Sequence, residues 1–130
     1  MLFSACLSAP PDERLTILRL NPESPYEALW NATCKVESGF DINAIGDKHL
    51  KEHSYGIVQV RKARLSDYYN KTGVMYSERD MFDPAKAKQV FLYYCNGDDM
   101  ERISREWNGG TKGMSKKSTL KYWHKIKSVL

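Results

Sequence analysis

The sequence predicts a mostly α-helical fold: a single domain of five to six helices with a long ordered loop. The chain has 130 residues, of which 42% are hydrophobic and 28% charged, and this suits one compact core. Apolar residues recur at helical spacing over most of the chain, and capping or stop residues bound each helical stretch. The longest apolar stretch, residues 2–9, is about half of the ~20 residues that a transmembrane helix needs. We therefore expect no transmembrane segment.

Residues 1–21 are predicted to form an N-terminal arm, and residues 22–130 the domain. The arm contains a short helical piece around residues 14–20. Its first residues resemble the end of a secretory signal, but the basic region that opens such signals is missing. The sequence therefore favours an arm over a signal.

The first strong helix follows the arm and ends in a carboxylate. A capping box at residues 24–27, with proline at the first helical position, opens this helix, and a Ser-Gly pair at residues 38–39 ends it. Its apolar face carries Tyr26, Leu29, Trp30, Thr33, Val36 and Glu37.

A long loop separates this helix from the later ones. Residues 40–55 show neither a helical nor a strand period, so we predict an ordered loop, and loops of this length are often functional. A short apolar run at residues 56–60 follows, and then a helix over residues 61–69 that ends at residues 70–73.

Three further helices complete the predicted domain. Asp83, followed by a proline, caps a helix that ends at residues 96–97, and Asp98 or Asp99 caps one that ends at residues 108–110. Ser115 or Ser118 is expected to open the last helix. Its apolar side would carry Leu120, Trp123, Ile126 or Lys127, and Leu130.

The positive charge is concentrated at the C-terminal end. The net charge is +4, and residues 111–130 hold six lysines and no acid, while the other 110 residues hold 14 basic and 16 acidic residues, a balance of −2. Such a patch attracts nucleic acid, an anionic cell envelope or a membrane surface. A solvated, lysine-rich helix face is the simpler interpretation. The scarcity of interleaved aromatic and basic residues argues against nucleic acid.

Glu37 is the candidate catalytic residue. A carboxylate on the apolar stripe of a helix is partly desolvated, so its pKa should rise, and the negative end of the helix dipole acts in the same direction. A carboxylic acid that stays protonated near neutral pH can protonate a poor leaving group such as a glycosidic oxygen. On spacing alone, Glu37 could instead reach water or pair with Lys35, Arg61 or Arg64.

Five short motifs follow one another between residues 37 and 126. They are Glu37-Ser38-Gly39-Phe40, Asn43-Ala44-Ile45-Gly46-Asp47, Ser54-Tyr55-Gly56-Ile57-Val58-Gln59-Val60, Trp107-Asn108-Gly109-Gly110 and Tyr122-Trp123-His124-Lys125-Ile126. In this order they resemble the motifs of the lytic transglycosylase (SLT-type) and goose-type lysozyme superfamily. One such string is weak evidence, whereas five in the right order are fairly specific. The resemblance covers residues 25–130.

The resemblance implies a lysozyme-like helical domain in which the long loop forms one wall of a cleft. It implies cleavage of the β-1,4 bond between N-acetylmuramic acid and N-acetylglucosamine in peptidoglycan, without cofactor or metal. Val58 and Trp107 stand where the family commonly has Met and Tyr, which puts substrate preference in question more than activity. Glu37 matches the catalytic acid and base, and the matching substrate-binding residues are Ser38, Ser54, Tyr55, Gly56, Gln59, Asn108 and Tyr122.

Two mechanisms and one non-catalytic role stay open. Lytic transglycosylases, as the resemblance implies, use one Glu that protonates the glycosidic oxygen and then acts as base while the muramyl 6-hydroxyl closes onto C1. A hydrolytic lysozyme uses a second carboxylate, for which Asp41, Asp47 and Glu52 are candidates, although Asp47 is equally suited to brace the loop. The third interpretation is a non-catalytic peptidoglycan-binding module.

The remaining expectations concern cysteines, partners and location. A zinc site from Cys34, His49, His53 and Cys95 has poor spacing, and two buried free thiols at Cys34 and Cys95 are favoured over a disulfide. The expected partners are peptidoglycan glycan strands. The expected location is the cell envelope, the periplasm or the extracellular space, with a phage particle and a secretion apparatus as possible settings.

Overall fold

The computed structural model describes residues 25–130, and these residues form a mostly helical fold with a small three-stranded sheet. The predicted arm and the Ser24 side of the predicted capping box lie outside the described residues. No helix within residues 25–130 combines the length and the apolar run that a membrane crossing requires. The helices are α1 (Pro25–Ser38), α2 (Lys62–Thr72), α3 (Pro84–Tyr93), α4 (Met100–Gly109) and α5 (Lys117–Val129), with 3₁₀ helices at Glu78–Phe82 and Gly110–Ser115.

The prediction of a loop without strands at residues 40–55 is wrong, because two strands of an antiparallel sheet lie within this segment. The strands are β1 (Ile45–Gly46), β2 (Ser54–Tyr55) and β3 (Val60–Arg61), in the order β1-β2-β3. Each strand has two residues, which is too short for an alternating pattern to be visible in the sequence.

The end of α2 and the starts of α3 and α4 agree with their sequence signals. Gly73 ends α2 in the left-handed conformation, with φ +77°. The carboxylate of Asp83 accepts a hydrogen bond from the amide of Ala85 and caps α3, and Asp99 caps α4 by accepting from the amide of Arg102. The end of α3 at Tyr93 comes before the stop predicted at residues 96–97.

The predicted start of α5 is wrong, and its predicted apolar side is confirmed only in part, because Ile126 is fully buried and Trp123 packs against the core. Neither Ser115 nor Ser118 caps the helix; the N-cap is Lys116, whose side chain makes no capping hydrogen bond. The guanidinium of Arg105, from α4, donates to the carbonyl oxygen of Lys116 and so fixes the backbone at this position. Leu120 and Leu130, expected on the apolar side, are 38% and 52% exposed. The residues of α5 that are buried are Thr119, Tyr122 and Ile126.

The core joins α1 to the later helices. α1 packs against α3 and α5, and α4 packs against α5 and the second 3₁₀ helix. The rings of Trp30, Phe91 and Trp107 form a continuous contact, with Phe91 5.5 Å from Trp30 and 5.0 Å from Trp107 between centroids. Because α1 is fixed on both sides, its last turn has a defined place at the edge of the core.

Candidate active site

Glu37 lies in the last turn of α1 and lines a cleft of about 590 Å³. Leu29 and Thr33, at i−8 and i−4 on the same helix, are buried, so this face brings Glu37 to the edge of the core. Gln59, just before β3, and Asn108, near the end of α4, line the same cleft. The structure thus brings together three predicted site residues from distant parts of the sequence.

Tyr122 joins this group from α5. Its hydroxyl donates a hydrogen bond to Oε2 of Glu37 at 2.9 Å, and its side chain is buried against the core. Burial and the adjacent carboxyl group of Glu37 raise the pKa of Tyr122 well above its usual range, so the phenol keeps its proton and acts as a donor. Tyr122 therefore holds one oxygen of Glu37 in a fixed direction.

Burial raises the pKa of Glu37 from 4.5 to about 7. The hydrogen bond from Tyr122 lowers the pKa, the negative charge of Asp47 raises it, and the positive charges of Arg61 and Lys125 lower it. Desolvation is the largest of these effects, and the predicted rise is confirmed. At neutral pH both the acid and the carboxylate are populated, which suits a group that first donates a proton and then accepts one.

Glu37 also differs from the other acids of the cleft in its ion pairs. Within residues 25–130, no basic side chain lies within 4.0 Å of its carboxylate, so the pairing that spacing alone allowed is not found there. The other acids that line the cleft have basic partners: Asp47 pairs with Arg61 at 2.7 Å, Asp67 with Lys71 at 3.1 Å, and Glu106 with Arg102 at 4.0 Å.

Asp47, a candidate second carboxylate, braces the loop. Its Oδ2 accepts hydrogen bonds from the hydroxyl of Ser54 at 2.9 Å and from the guanidinium of Arg61 at 2.7 Å. Burial opposes its ionisation, but these two hydrogen bonds outweigh burial and hold the pKa of Asp47 below its usual value. The other two candidates, Asp41 and Glu52, are exposed and do not line the cleft.

Gln59 lies at the cleft with its amide group held on three sides. Its Nε2 donates to the carbonyl oxygens of Gly56 at 3.0 Å and Ala44 at 3.3 Å. Its Oε1 lies 2.7 Å from the hydroxyl oxygen of Ser54, whose single proton it shares with the carboxylate of Asp47. The backbone of Gln59 is left-handed, with φ +57°. A Cβ at Gly46 would stand 2.0 Å from Oε1 of Gln59, so glycine is needed for this arrangement.

Like Tyr122, four further predicted substrate-binding residues lie outside the cleft lining: Ser38, Ser54, Tyr55 and Gly56. The hydroxyl of Ser38 donates to the carbonyl oxygen of Ile57 at 2.6 Å and ties the end of α1 to the turn before β3. The ring of Tyr55 meets that of Phe82 edge-on at 6.0 Å. These contacts support the wall of the cleft, and a role of the four residues in binding substrate stays a prediction.

Sequence reasoning missed a cluster around Arg64 on the same cleft. The guanidinium of Arg64 lies 4.5 Å from the ring centroid of Tyr94 and 4.6 Å from that of Trp107. It also donates to the carbonyl oxygens of Glu106 at 3.2 Å and Trp107 at 2.7 Å, near the end of α4. These contacts fix the backbone just before Asn108. The partners are 30 to 43 residues away along the chain, so no local pattern identifies them.

The two described cysteines are free and buried, as the sequence favoured. Burial raises the pKa of the thiols of Cys34 and Cys95 to about 12, so both stay protonated near neutral pH. The described residues contain no group of three or more His, Cys, Asp or Glu side chains placed to hold a metal ion.

No family model matches the chain, and no curated protein or solved structure matches it. Membership of the family that the five motifs resemble therefore stays a prediction. The geometry of Glu37 and its neighbours carries the functional conclusion.

Proposed function

We propose that this protein is a peptidoglycan-cleaving muramidase, a lytic transglycosylase of lysozyme-like fold that uses Glu37 as both acid and base. The observation that carries the proposal is the state of Glu37, a carboxyl group with a pKa of about 7 that lines a cleft of about 590 Å³. Small-molecule sites typically measure roughly 300–1,000 Å³. Gln59 and Asn108 supply amide groups on the same cleft, and such groups can bind the hydroxyl and N-acetyl groups of a sugar.

In the proposed reaction one carboxyl group carries out two proton transfers. Protonated Glu37 gives its proton to the glycosidic oxygen between N-acetylmuramic acid and N-acetylglucosamine, and the bond from C1 to that oxygen breaks. The resulting Glu37 carboxylate then accepts the proton of the muramyl 6-hydroxyl while O6 forms a bond to C1. The product has a 1,6-anhydro end, and Glu37 is again protonated.

The state of Asp47 favours this mechanism over hydrolysis. A hydrolase needs a second carboxylate that is free to attack C1 or to activate water. The carboxylate of Asp47 already accepts hydrogen bonds from Ser54 and Arg61. The hydrolytic lysozyme and the non-catalytic binding module are the outcomes that the experiment must separate.

The product of digestion tests the mechanism. Purified sacculi are incubated with the protein, and the soluble fragments are analysed by mass spectrometry. We expect anhydro-muropeptides, which are lighter than their hydrolysed counterparts by one water. Fragments with reducing ends alone would assign a hydrolase, and the absence of any fragments would favour the binding module.

Matched variants test the role of Glu37. Glu37→Gln should abolish turbidity clearing of cell walls while wall binding stays nearly intact. Asp41→Asn and Glu52→Gln each remove an exposed carboxylate outside the cleft, and both should keep full activity. If either of these two variants loses activity, a second carboxylate takes part and the single-Glu mechanism fails.

The proposed substrate implies a place where peptidoglycan can be reached. This is the cell envelope, the periplasm or the extracellular space, and it includes a phage particle or a secretion apparatus. The expected partners are the glycan strands of peptidoglycan.

A further inference from the structure

The outer side of α5 carries a row of positive charges, which we call the lysine face. It consists of Lys117, Lys121 and Lys125, at positions i, i+4 and i+8 of the helix. Such residues follow one another along one side of a helix, and at 1.5 Å per residue the three span about 12 Å. All three are exposed, whereas Tyr122 and Ile126 of the same helix are buried.

The charges of the lysine face are uncompensated within the described part of the chain. No Asp or Glu in residues 25–130 lies within 4.0 Å of the ammonium groups of Lys117, Lys121 or Lys125. Elsewhere the molecule does pair its lysines, as with Lys86 and Asp80 at 3.0 Å. The lysine face is therefore free to bind an anion without first breaking an internal ion pair.

The lysines at the start of α5 oppose the stability of this helix. The positive end of a helix dipole lies at the N-terminus, where acids are favourable and cations unfavourable. The first turn of α5 has no acid, and Lys116 and Lys117 stand at its N-cap and first position. Like charges at i and i+4, such as Lys117 and Lys121, also repel one another. Helix stability therefore does not account for this pattern.

The lysine face lies beside the cleft. Lys125 is near enough to Glu37 for its charge to act on that carboxyl group. At the other end, Gly110 and Thr111 line the cleft, and the chain continues from them through the second 3₁₀ helix into α5. The lysine face is thus connected to the cleft at both ends, through Glu37 at one end and through the second 3₁₀ helix at the other.

We propose that the lysine face binds the acidic peptides that branch from the glycan strand in the cleft, an inference that rests on the proposed function. These peptides are attached to the muramic acid residue, which is the sugar whose C1 reacts beside Glu37. Their carboxylates are anions carried by the substrate itself, and they match a row of lysines that begins next to the catalytic carboxyl group. Binding there would orient the strand as well as increase its affinity.

Two other anionic partners fit the surface less well. An interfacial membrane helix needs an apolar face that is free to enter the lipid, and the apolar side of α5 is buried in the core at Tyr122 and Ile126. Binding of single-stranded nucleic acid uses aromatic side chains on which bases stack. Between Lys117 and Lys125 the other exposed residues are Ser118, Leu120 and His124, and the ring of Trp123 is partly buried against the core.

The test compares two variants of equal net charge on two glycan probes. Lys117→Gln with Lys121→Gln neutralises the lysine face but leaves Lys125, whose charge acts on Glu37. The matched control, Lys35→Gln with Lys62→Gln, neutralises two exposed lysines on α1 and α2. The probes are soluble glycan strands with their peptides intact and the same strands after an amidase has removed the peptides.

We expect the lysine-face variant to lose affinity for peptide-bearing strands by about tenfold at low salt, and less at high salt because screening weakens the contact in both proteins. Its affinity for peptide-free strands should be unchanged, and the control should stay within about twofold of wild type on both probes. Equal losses in both variants, or no loss in either, would overturn the proposal. Tighter binding to duplex DNA or to anionic lipid vesicles than to peptide-bearing strands would also overturn it.

Two further measurements keep the inference separable from the proposed function. Circular dichroism checks the fold, and if the double variant is unfolded, Lys121→Gln in the middle of the helix is measured instead. Cleavage by wild type is followed on the peptide-free strands, where the lysine face is not needed. If wild type cleaves neither probe but binds the peptide-bearing one through the lysine face, the proposed function fails and the lysine face stands. If wild type cleaves both probes and the lysine-face variant binds them with the same affinity as the control, the proposed role of the lysine face is wrong while the proposed function stands.

Discussion

At the scale of single residues, the side chain of Glu37 shows how a place on a helix face becomes a chemical property. Residues 29 and 33 on the same face are buried, so the face enters the core and carries Glu37 partly out of water. Burial raises its pKa from 4.5 to about 7, which means that the folded protein binds a proton more tightly than the unfolded chain. Folding is then favoured at low pH, where the proton is present, and this contribution is lost as the pH rises from about 4.5 to about 7.

Glu37→Gln should therefore stabilise the protein at high pH and not at low pH. A neutral amide avoids the cost of a buried carboxylate, so the free energy of unfolding should increase by up to about 3 kcal/mol near pH 8. Near about pH 4 the carboxyl group is protonated in the folded state, and the two proteins should be equally stable. Urea denaturation at the two pH values measures the difference, with Glu52→Gln as an exposed control. A gain that is the same at both pH values would mean that the carboxyl group of Glu37 is not desolvated.

Ser104 provides a second case, because its hydroxyl is buried without a hydrogen-bond partner within the described residues. A buried polar group that makes no hydrogen bond costs stability. Ser104→Ala should leave the free energy of unfolding unchanged or increase it by about 1 kcal/mol. Thr119→Val is the contrasting variant, since the hydroxyl of Thr119 accepts a hydrogen bond from Arg105 at 3.0 Å, and it should lose about 1–3 kcal/mol. Thermal or urea unfolding of both variants measures these changes. A clear loss of stability in Ser104→Ala would indicate that the hydroxyl of Ser104 does have a hydrogen-bond partner.

At the scale of elements, the turn between β2 and β3 depends on how closely it approaches the first 3₁₀ helix. Gly56 in this turn has φ +82°, and a Cβ there would lie 1.9 Å from the carbonyl oxygen of Met81. No side chain fits in that space. The turn carries Gln59 at its end, so the close contact also places a cleft residue.

Gly56→Ala should therefore destabilise the protein by about 3 kcal/mol or more, because the left-handed backbone and the steric clash both oppose the new methyl group. Gly73→Ala is a matched control: its φ is +77°, but a Cβ there has nothing within 4 Å. The control should lose about 1–2 kcal/mol from the backbone alone. Chemical denaturation compares them. Equal losses would show that the contact with the 3₁₀ helix contributes nothing.

The same elements show which features a sequence reveals. Caps such as Asp83 and Asp99 act on amides two or three residues away, so the starts of α3 and α4 were predictable. The two-residue strands have no readable period. At the start of α5, neither serine caps the helix, and the guanidinium of Arg105 from another helix fixes the backbone by donating to the carbonyl oxygens of Met114 and Lys116. A tertiary contact of this kind leaves no local signal.

At the scale of the whole molecule, the cleft is assembled from both ends of the described chain. The hydrogen bond between Tyr122 and Glu37 joins residues 85 positions apart. The sequence indicated Glu37 through its helix face, whereas its proximity to Gln59, Asn108 and Tyr122 was expected only from the resemblance of the motifs. The contact of Arg64 with the rings of Tyr94 and Trp107 was not expected. Packing of α1 against α3 and α5 creates these proximities, and spacing along the chain does not encode them.

This assembly makes the acidity of Glu37 depend on groups from other elements, and two variants should move it in opposite directions. Tyr122 donates a hydrogen bond that favours the carboxylate, so Tyr122→Phe should raise the pKa of Glu37 above its value of about 7. The negative charge of Asp47 favours the protonated acid, and Asp47→Asn also releases Arg61 from its ion pair, so this variant should lower the pKa. Each change should be about one pH unit.

Under the proposed mechanism Glu37 must be protonated to begin the reaction, so the pH profile of kcat/KM on glycan strands reports these changes. Activity should fall as the pH rises through about 7 in the wild type. The descending limb should shift to higher pH in Tyr122→Phe and to lower pH in Asp47→Asn. Carbon NMR of the labelled Glu37 carboxyl group follows the same titration without any substrate. If NMR shows pKa shifts of opposite sign in the two variants but the pH profile of kcat/KM does not change, Glu37 does not take part in the reaction. If the two variants shift the pKa of Glu37 in the same direction, the electrostatic explanation given for the cleft is wrong.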